Sequence, residues 1–129
     1  MDNQQKKILV VEDDQFLREF YQELLTAEGY IVDVASDGEI ALSKIQNEEL
    51  DLVLLDIMLP KKDGVQILRD LKLKPAKSPN ATIVVLTNLG QDAVIKQCFD
   101  LGVNGYLIKS ALNPDQVLTE VKSYLQKSE

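Results

Sequence analysis

The run Ile8–Val11 leads directly into Glu12, Asp13 and Asp14, and the run Leu52–Leu55 into Asp56. Likewise Ile83–Leu86 ends at Thr87, and Tyr106–Ile108 at Lys109. If these residues meet, Glu12, Asp13 and Asp56 repel one another, and at least one carboxyl pKa rises unless a cation intervenes. Oxygen ligands without imidazole or thiolate suit magnesium, which keeps several waters and leaves room for phosphate oxygens. A carboxylate beside such an ion is a nucleophile toward phosphorus. The loose transition state of that transfer carries charge on three equatorial oxygens. Magnesium, the Lys109 ammonium, and the Thr87 hydroxyl with nearby backbone N–H groups could each meet one of them. Taken singly, each residue has a plainer reading: Asp14 as the N-cap of the next helix, Asp56 as a turn residue, Thr87 and Lys109 as solvated strand ends. Their coincidence argues for a site.

What must position them is an alternation of strands and helices. The apolar runs Ile8–Val11, Ile31–Ala35, Leu52–Leu55, Ile83–Leu86 and Tyr106–Ile108 lack polar alternation, as strands covered on both faces do. Between them, Phe16, Leu17, Phe20, Tyr21, Leu24 and Leu25 repeat at helical spacing, with Gly29 as a stop. Shorter stripes are Ala41, Leu42 and Ile45; Ile67, Leu68 and Leu71; and Val94, Ile95, Cys98 and Leu101, closed by Gly102. The last helix starts with Asn113 as cap, Pro114 in the first turn and Gln116 at the capping-box position, and its apolar face is Val117, Leu118, Val121, Tyr124 and Leu125. This predicts an α/β fold: a doubly wound, five-stranded parallel sheet of flavodoxin-like (βα)5 type, order 2-1-3-4-5. Ligands of such sheets bind at the carboxyl edge where strand order reverses, between the first and third strands. Those strands deliver Glu12, Asp13 and Asp56.

The 129 residues fit one domain, with a core over about 6–125 and flexible tails at 1–5 and 126–129. A net charge of −7 argues against nucleic acid or anionic membrane as a partner. Lys72, Lys74 and Lys77 cluster, and read as a solvated loop. No apolar run reaches the ~18 residues of a membrane span, and Met1–Lys7 lacks the apolar stretch of a signal peptide. With a single cysteine, Cys98, placed as helix packing, the expected compartment is the cytoplasm. Histidine is absent, which excludes Ser/His/Asp and Cys/His catalysis and an internal phosphohistidine.

The segments Ile8–Asp14, Asp51–Asp56, Leu59–Gly64, Val85–Thr87 and Gly105–Lys109 resemble the response-regulator receiver (CheY-like) family, from about Lys6 to Leu125. The resemblance implies a phospho-accepting switch of a two-component phosphorelay that catalyses only its own phosphorylation and dephosphorylation. Asp56 is then the phosphoacceptor and Asp13 the principal Mg2+ ligand. Glu12, Asp56 and the Met58 carbonyl join Asp13 around the ion, and Thr87 and Lys109 bind phosphoryl oxygens. The donor is a phosphohistidine on a sensor histidine kinase or histidine phosphotransfer protein. Thr87 moves toward the phosphoryl group and Tyr106 turns into the vacated space. The altered face, formed by the fourth helix, fifth strand and fifth helix, meets a downstream protein or a second copy of the chain. Gly64 reads equally well as a turn glycine or as part of a tight loop beside the site.

Three features depart from the family pattern or vary within it. The family's lysine usually precedes a cis proline, whereas Ser110 follows Lys109. The cost of a non-proline cis bond, about 2.5–4 kcal/mol, predicts a trans Lys109–Ser110 bond and an altered loop that leaves the resting place of Lys109 open. Asn88 replaces a usually small residue and would narrow donor access. Met58 and Leu89 are apolar and cannot orient an attacking water, so self-dephosphorylation is expected to be slow.

Two other readings are weighed against this one. A magnesium-dependent aspartyl phosphatase of the haloacid-dehalogenase type would carry two aspartates one residue apart after the first strand, which Glu12-Asp13-Asp14-Gln15 does not supply. An unphosphorylated interaction module would have lost a key residue, yet Asp13, Asp56, Thr87 and Lys109 are all present. Because the sequence ends soon after the last helix, output is expected through a partner unless the chain is an excised domain.

Overall fold

The structure is a computed structural model that describes residues 5–88 and 90–127. Strands β1 (Lys7–Val11), β2 (Ile31–Ala35), β3 (Leu52–Asp56), β4 (Thr82–Thr87) and β5 (Gly105–Ile108) alternate with helices α1 (Gln15–Ala27), α2 (Gly38–Asn47), α3 (Gly64–Leu73), α4 (Asp92–Asp100) and α5 (Pro114–Lys127). All pairings are parallel and the order is β2-β1-β3-β4-β5, as the alternation predicts. Of the tails expected at 1–5 and 126–129, residues 1–4, 128 and 129 lie outside the described residues; α5 runs on through Lys127.

The pleat divides the core in two, because successive strand residues face opposite sides. Ile8, Val10, Leu52, Leu54, Val84, Leu86 and Leu107 pack against Tyr21 and Leu25 of α1 and Val117, Val121 and Leu125 of α5. Leu9, Val11, Val53, Leu55 and Val85 pack against Ala41 and Ile45 of α2, Ile67 and Leu68 of α3, and Cys98 of α4. Cys98 is fully buried, and burial pushes its thiol pKa up, so packing is its role here. Phe16 departs from the predicted stripe: it is 77% exposed. It sits one residue, about 100° of helix rotation, from Leu17, in a first turn at the carboxyl edge of the sheet. The lysine cluster is solvated but not all loop, since Lys72 lies in the last turn of α3 and Lys74 caps it.

Helix starts follow local chemistry. Asp14, Asp37 and Asp63 cap α1, α2 and α3 by accepting the N–H of Leu17, Ile40 and Gln66. Asn113 and Gln116 form the predicted capping box, each side chain accepting the other's backbone N–H at 2.9 and 2.8 Å.

Two glycines let loops approach the carboxyl edge closely. A Cβ on Gly64 would stand 2.9 Å from Ile57 Cα, directly after Asp56, while the Gly64 N–H donates to the Ile57 carbonyl at 2.8 Å. This favours the tight-loop reading of Gly64. Gly38 donates to the Pro60 carbonyl at 3.2 Å, and a Cβ there would overlap the Lys62 carbonyl. That loop includes Lys61 with a left-handed φ of 69°, held beside Asp37 with Lys61 Nζ 3.6 Å from its carboxylate. Gly38→Ala therefore meets the Lys62 backbone and should cost about 3 kcal/mol, at the upper end of overpacking. Gly105→Ala meets the hydroxyl end of the Tyr124 ring, part of a side chain that can move rather than backbone, and should cost less. Urea unfolding of the two variants side by side tests that order.

Candidate functional site

Three strand ends build the site. On β1 and β3 the alternation that places Ile8 and Val10, and Leu52 and Leu54, toward α1 and α5 continues to Glu12 and Asp56. On β5 it continues from Leu107 to Lys109, the first residue of a short 3-10 turn, Lys109–Ala111. The three side chains consequently meet. Lys109 Nζ lies 2.7 Å from Glu12 Oε1 and 2.8 Å from Asp56 Oδ2. Thr87 follows the parity of Val85 and belongs to the other side of the sheet.

Glu12 and Asp56 are buried, at 1% and 3% exposure, and share this one ammonium. The Met58 backbone N–H donates to Asp56 Oδ1 at 3.1 Å, and the Asp14 N–H donates to Glu12 Oε2 at 3.2 Å. Glu12 Oε1 is paired with Lys109 by charge but has no partner in hydrogen-bonding geometry, and it is buried. Burial raises the Glu12 pKa to about 7; Lys109 opposes the rise and the Asp56 charge adds to it. One of the expected repelling carboxylates is thus raised, though desolvation outranks repulsion. Desolvation lowers the Lys109 pKa, but its hydrogen bond to Asp56 and the charges of Asp56 and Glu12 outweigh that and leave it raised.

Asp13 is exposed, yet one oxygen each from Glu12, Asp13 and Asp56 lies within 4.8 Å of the others. A buried oxygen lacking a hydrogen bond, two further carboxylates and no nitrogen or sulfur donor fit a hard divalent cation such as magnesium. Arg18 steadies this loop by donating to the Glu12 and Asp13 carbonyls at 3.0 and 3.3 Å. Sequence reasoning missed Arg18, because a basic residue in an amphipathic helix carries no mark of reaching back over its own N-terminus.

The Lys109–Ser110 bond is trans, as expected, since the described residues contain no cis peptide. The resting place that Ser110 left open is on Asp56 and Glu12. Met58 is 60% exposed and Asn88 is exposed at the rim, while Leu89 lies outside the described residues. Tyr106 is 42% exposed and meets the Phe99 ring edge-on, centroids 6.1 Å apart.

Residues 8–122 match the family model described as response regulator receiver domain. The chain belongs to that family. This receiver domain is 38% identical over 124 residues to the alkaline phosphatase synthesis transcriptional regulatory protein PhoP of Bacillus subtilis, covering 96% of the chain and 50% of that protein. It spans about half the length of the curated relatives it matches. A CheY-like receiver domain from Methanospirillum hungatei superposes with a TM-score of 0.85 at 30% identity, over 96% of each chain. The receiver domain of a Pseudomonas aeruginosa sensor histidine kinase, at 24% identity, shares the fold with a TM-score of 0.81, over 95% of this chain and 98% of its own. That domain was crystallised with a magnesium ion coordinated in its active site cleft. No described helix of the present receiver domain is long and apolar enough to cross a membrane.

Proposed function

We propose that this receiver domain acts as one unit that accepts a phosphoryl group on Asp56 and passes the change to a protein partner. The observation that carries the reading is the Asp56 carboxylate, buried at the switch point of the sheet and held between the Met58 N–H and Lys109 beside two further carboxylates. One Asp56 oxygen attacks phosphorus in line, while the bond from phosphorus to the donor's imidazole nitrogen breaks and its electrons return to the ring. The donor is a sensor histidine kinase or histidine phosphotransfer protein, since the chain holds no histidine. Glu12, Asp13, Asp56 and the Met58 carbonyl would hold magnesium, which supplies charge neutralisation for the phosphoryl oxygens. Lys109, 2.8 Å from Asp56 Oδ2, would follow one of those oxygens. The Thr87 hydroxyl and the Asn88 N–H serve another. The domain catalyses only its own phosphorylation and dephosphorylation.

Readout runs through Thr87 and Tyr106 to the face of α4, β5 and α5, which would meet a cytoplasmic protein target or a second copy of the chain. Tyr106 and Phe99 supply an exposed aromatic pair there. The charge of −7 favours protein over nucleic acid as the direct contact of this domain. The test is incubation with magnesium and acetyl phosphate, followed by intact mass, and with beryllofluoride, followed by amide NMR. A magnesium-dependent acyl phosphate and shifts around Thr87 and Tyr106 are expected; a folded protein showing neither would overturn the reading.

Once formed, the acyl phosphate should persist, because the apolar Met58 and Leu89 side chains offer no hydrogen bond to an attacking water. Replacing both with polar residues should speed its loss by roughly tenfold or more, the low end of what a positioned proton acceptor contributes. An unchanged decay rate would show that these positions do not govern hydrolysis.

A further inference from the structure

The Thr87 hydroxyl is already engaged. It faces two acceptors, the side-chain oxygen Oε1 of Gln91 and, at 3.2 Å, the Asn88 carbonyl, and the Gln91 oxygen also accepts the Asn88 N–H at 3.0 Å. A backbone N–H only donates, so the Gln91 atom facing it is the carbonyl oxygen, whose two lone pairs serve both donors. These are the two donors at the end of β4 that the Asp56 reading assigns to the phosphoryl group.

Gln91 is unusual at its position. It is the residue before α4, with φ −107° and ψ 36°, and its side chain caps none of the free N–H groups of that helix. Before α1, α2 and α3 the equivalent residue is an aspartate that does cap. The amide of Gln91 is thus turned away from its own helix and onto Thr87 and Asn88. The first turn of α4 goes without a side-chain cap as a result.

We propose that Gln91 is an internal competitor for the phosphoryl group, a positioning residue that holds Thr87 and Asn88 until the modification displaces it. The inference rests on the Asp56 reading and adds a residue to it. A phosphoryl oxygen accepts charge-assisted hydrogen bonds, roughly twice as strong as those to a neutral amide, so the exchange runs toward the phosphorylated state. What Gln91 contributes is subtracted from that gain and holds the resting state in place. Its displacement also frees the residue that precedes α4, so the change reaches this helix by a route separate from Tyr106.

Gln91→Met keeps the length of the side chain and removes the acceptor, and no capping bond is lost. In the presence of magnesium this variant should bind beryllofluoride about fivefold more tightly than wild type, the equivalent of one net hydrogen bond. Its free-state Asn88 amide proton should move upfield. Gln91→Glu keeps the acceptor and adds a negative charge, and should bind the same probe more weakly than wild type. A structural role for Gln91 would not move the two variants in opposite directions. If wild type binds beryllofluoride and Gln91→Met binds no more tightly, this inference fails alone. If wild type binds none, the Asp56 reading fails and takes this one with it.

Discussion

Asp56→Asn protein, incubated with acetyl phosphate and magnesium, is expected to gain no phosphoryl group while wild type gains one, read by intact mass. An amide oxygen is too weak a nucleophile to attack phosphorus, so the loss should be complete rather than graded. The substitution should leave the fold intact. The side-chain amide it introduces can still accept the Met58 N–H, and Lys109 keeps Glu12 as its partner at 2.7 Å. It also removes one of two buried like charges that share a single ammonium. The change in unfolding free energy should therefore stay within about 1–2 kcal/mol, the scale of one hydrogen bond to a charged group. A phosphoryl adduct on Asp56→Asn would move the acceptor to another carboxylate, Asp13 being the exposed neighbour, and would sink the assignment.

Lys109→Met should have the largest effect on stability. The ammonium, 15% exposed, is the counter-charge within 2.8 Å of both buried carboxylates. Breaking a buried ion pair from one side costs about 3–5 kcal/mol, because the partner charge stays buried without compensation. The pH dependence follows from Glu12. Its folded pKa, about 7, lies above its ordinary value of 4.5, so the folded protein binds the proton more tightly than the unfolded chain. Stability from this group is therefore fully present below about pH 4.5 and is lost as pH rises through about 7. Without Lys109, Glu12 loses the interaction that opposed the rise, so the deficit should be greatest above pH 7 and shrink on acidification. Magnesium should restore part of the stability at pH 8, since the carboxylates it would join are those left without a counter-charge. Urea unfolding at pH 5.5 and pH 8, with and without magnesium, measures all of this. A deficit that is flat with pH and indifferent to magnesium would show that Lys109 acts through packing alone.

Much of this protein was legible before its structure. The apolar runs marked all five strands, and their ends missed only flanking residues such as Lys7, Thr82 and Gly105. Hydrophobicity marks burial, while a strand's terminal residues depend on whether a neighbour in register offers a hydrogen bond. The caps at Asp14 and Asn113 were legible because capping is local, reaching only to the third residue of the helix. Phe16 was misread because periodicity gives the side of a helix and says nothing of where the surface it packs on ends.

The candidate site divides the same way. Residue types and strand ends placed Glu12, Asp13, Asp56, Thr87 and Lys109 at one edge and led to the proposal of a hard cation and phosphoryl chemistry. Which of them touch was a tertiary matter. Lys109 bridges Glu12 and Asp56 because the pleat gives all three one parity, while Thr87, on the opposite parity, turns to Gln91. Hydrogen bonds and desolvation act over a few ångströms and depend on direction. Partners separated by 97 positions, as Glu12 and Lys109 are, acquire that geometry only when the sheet closes around them.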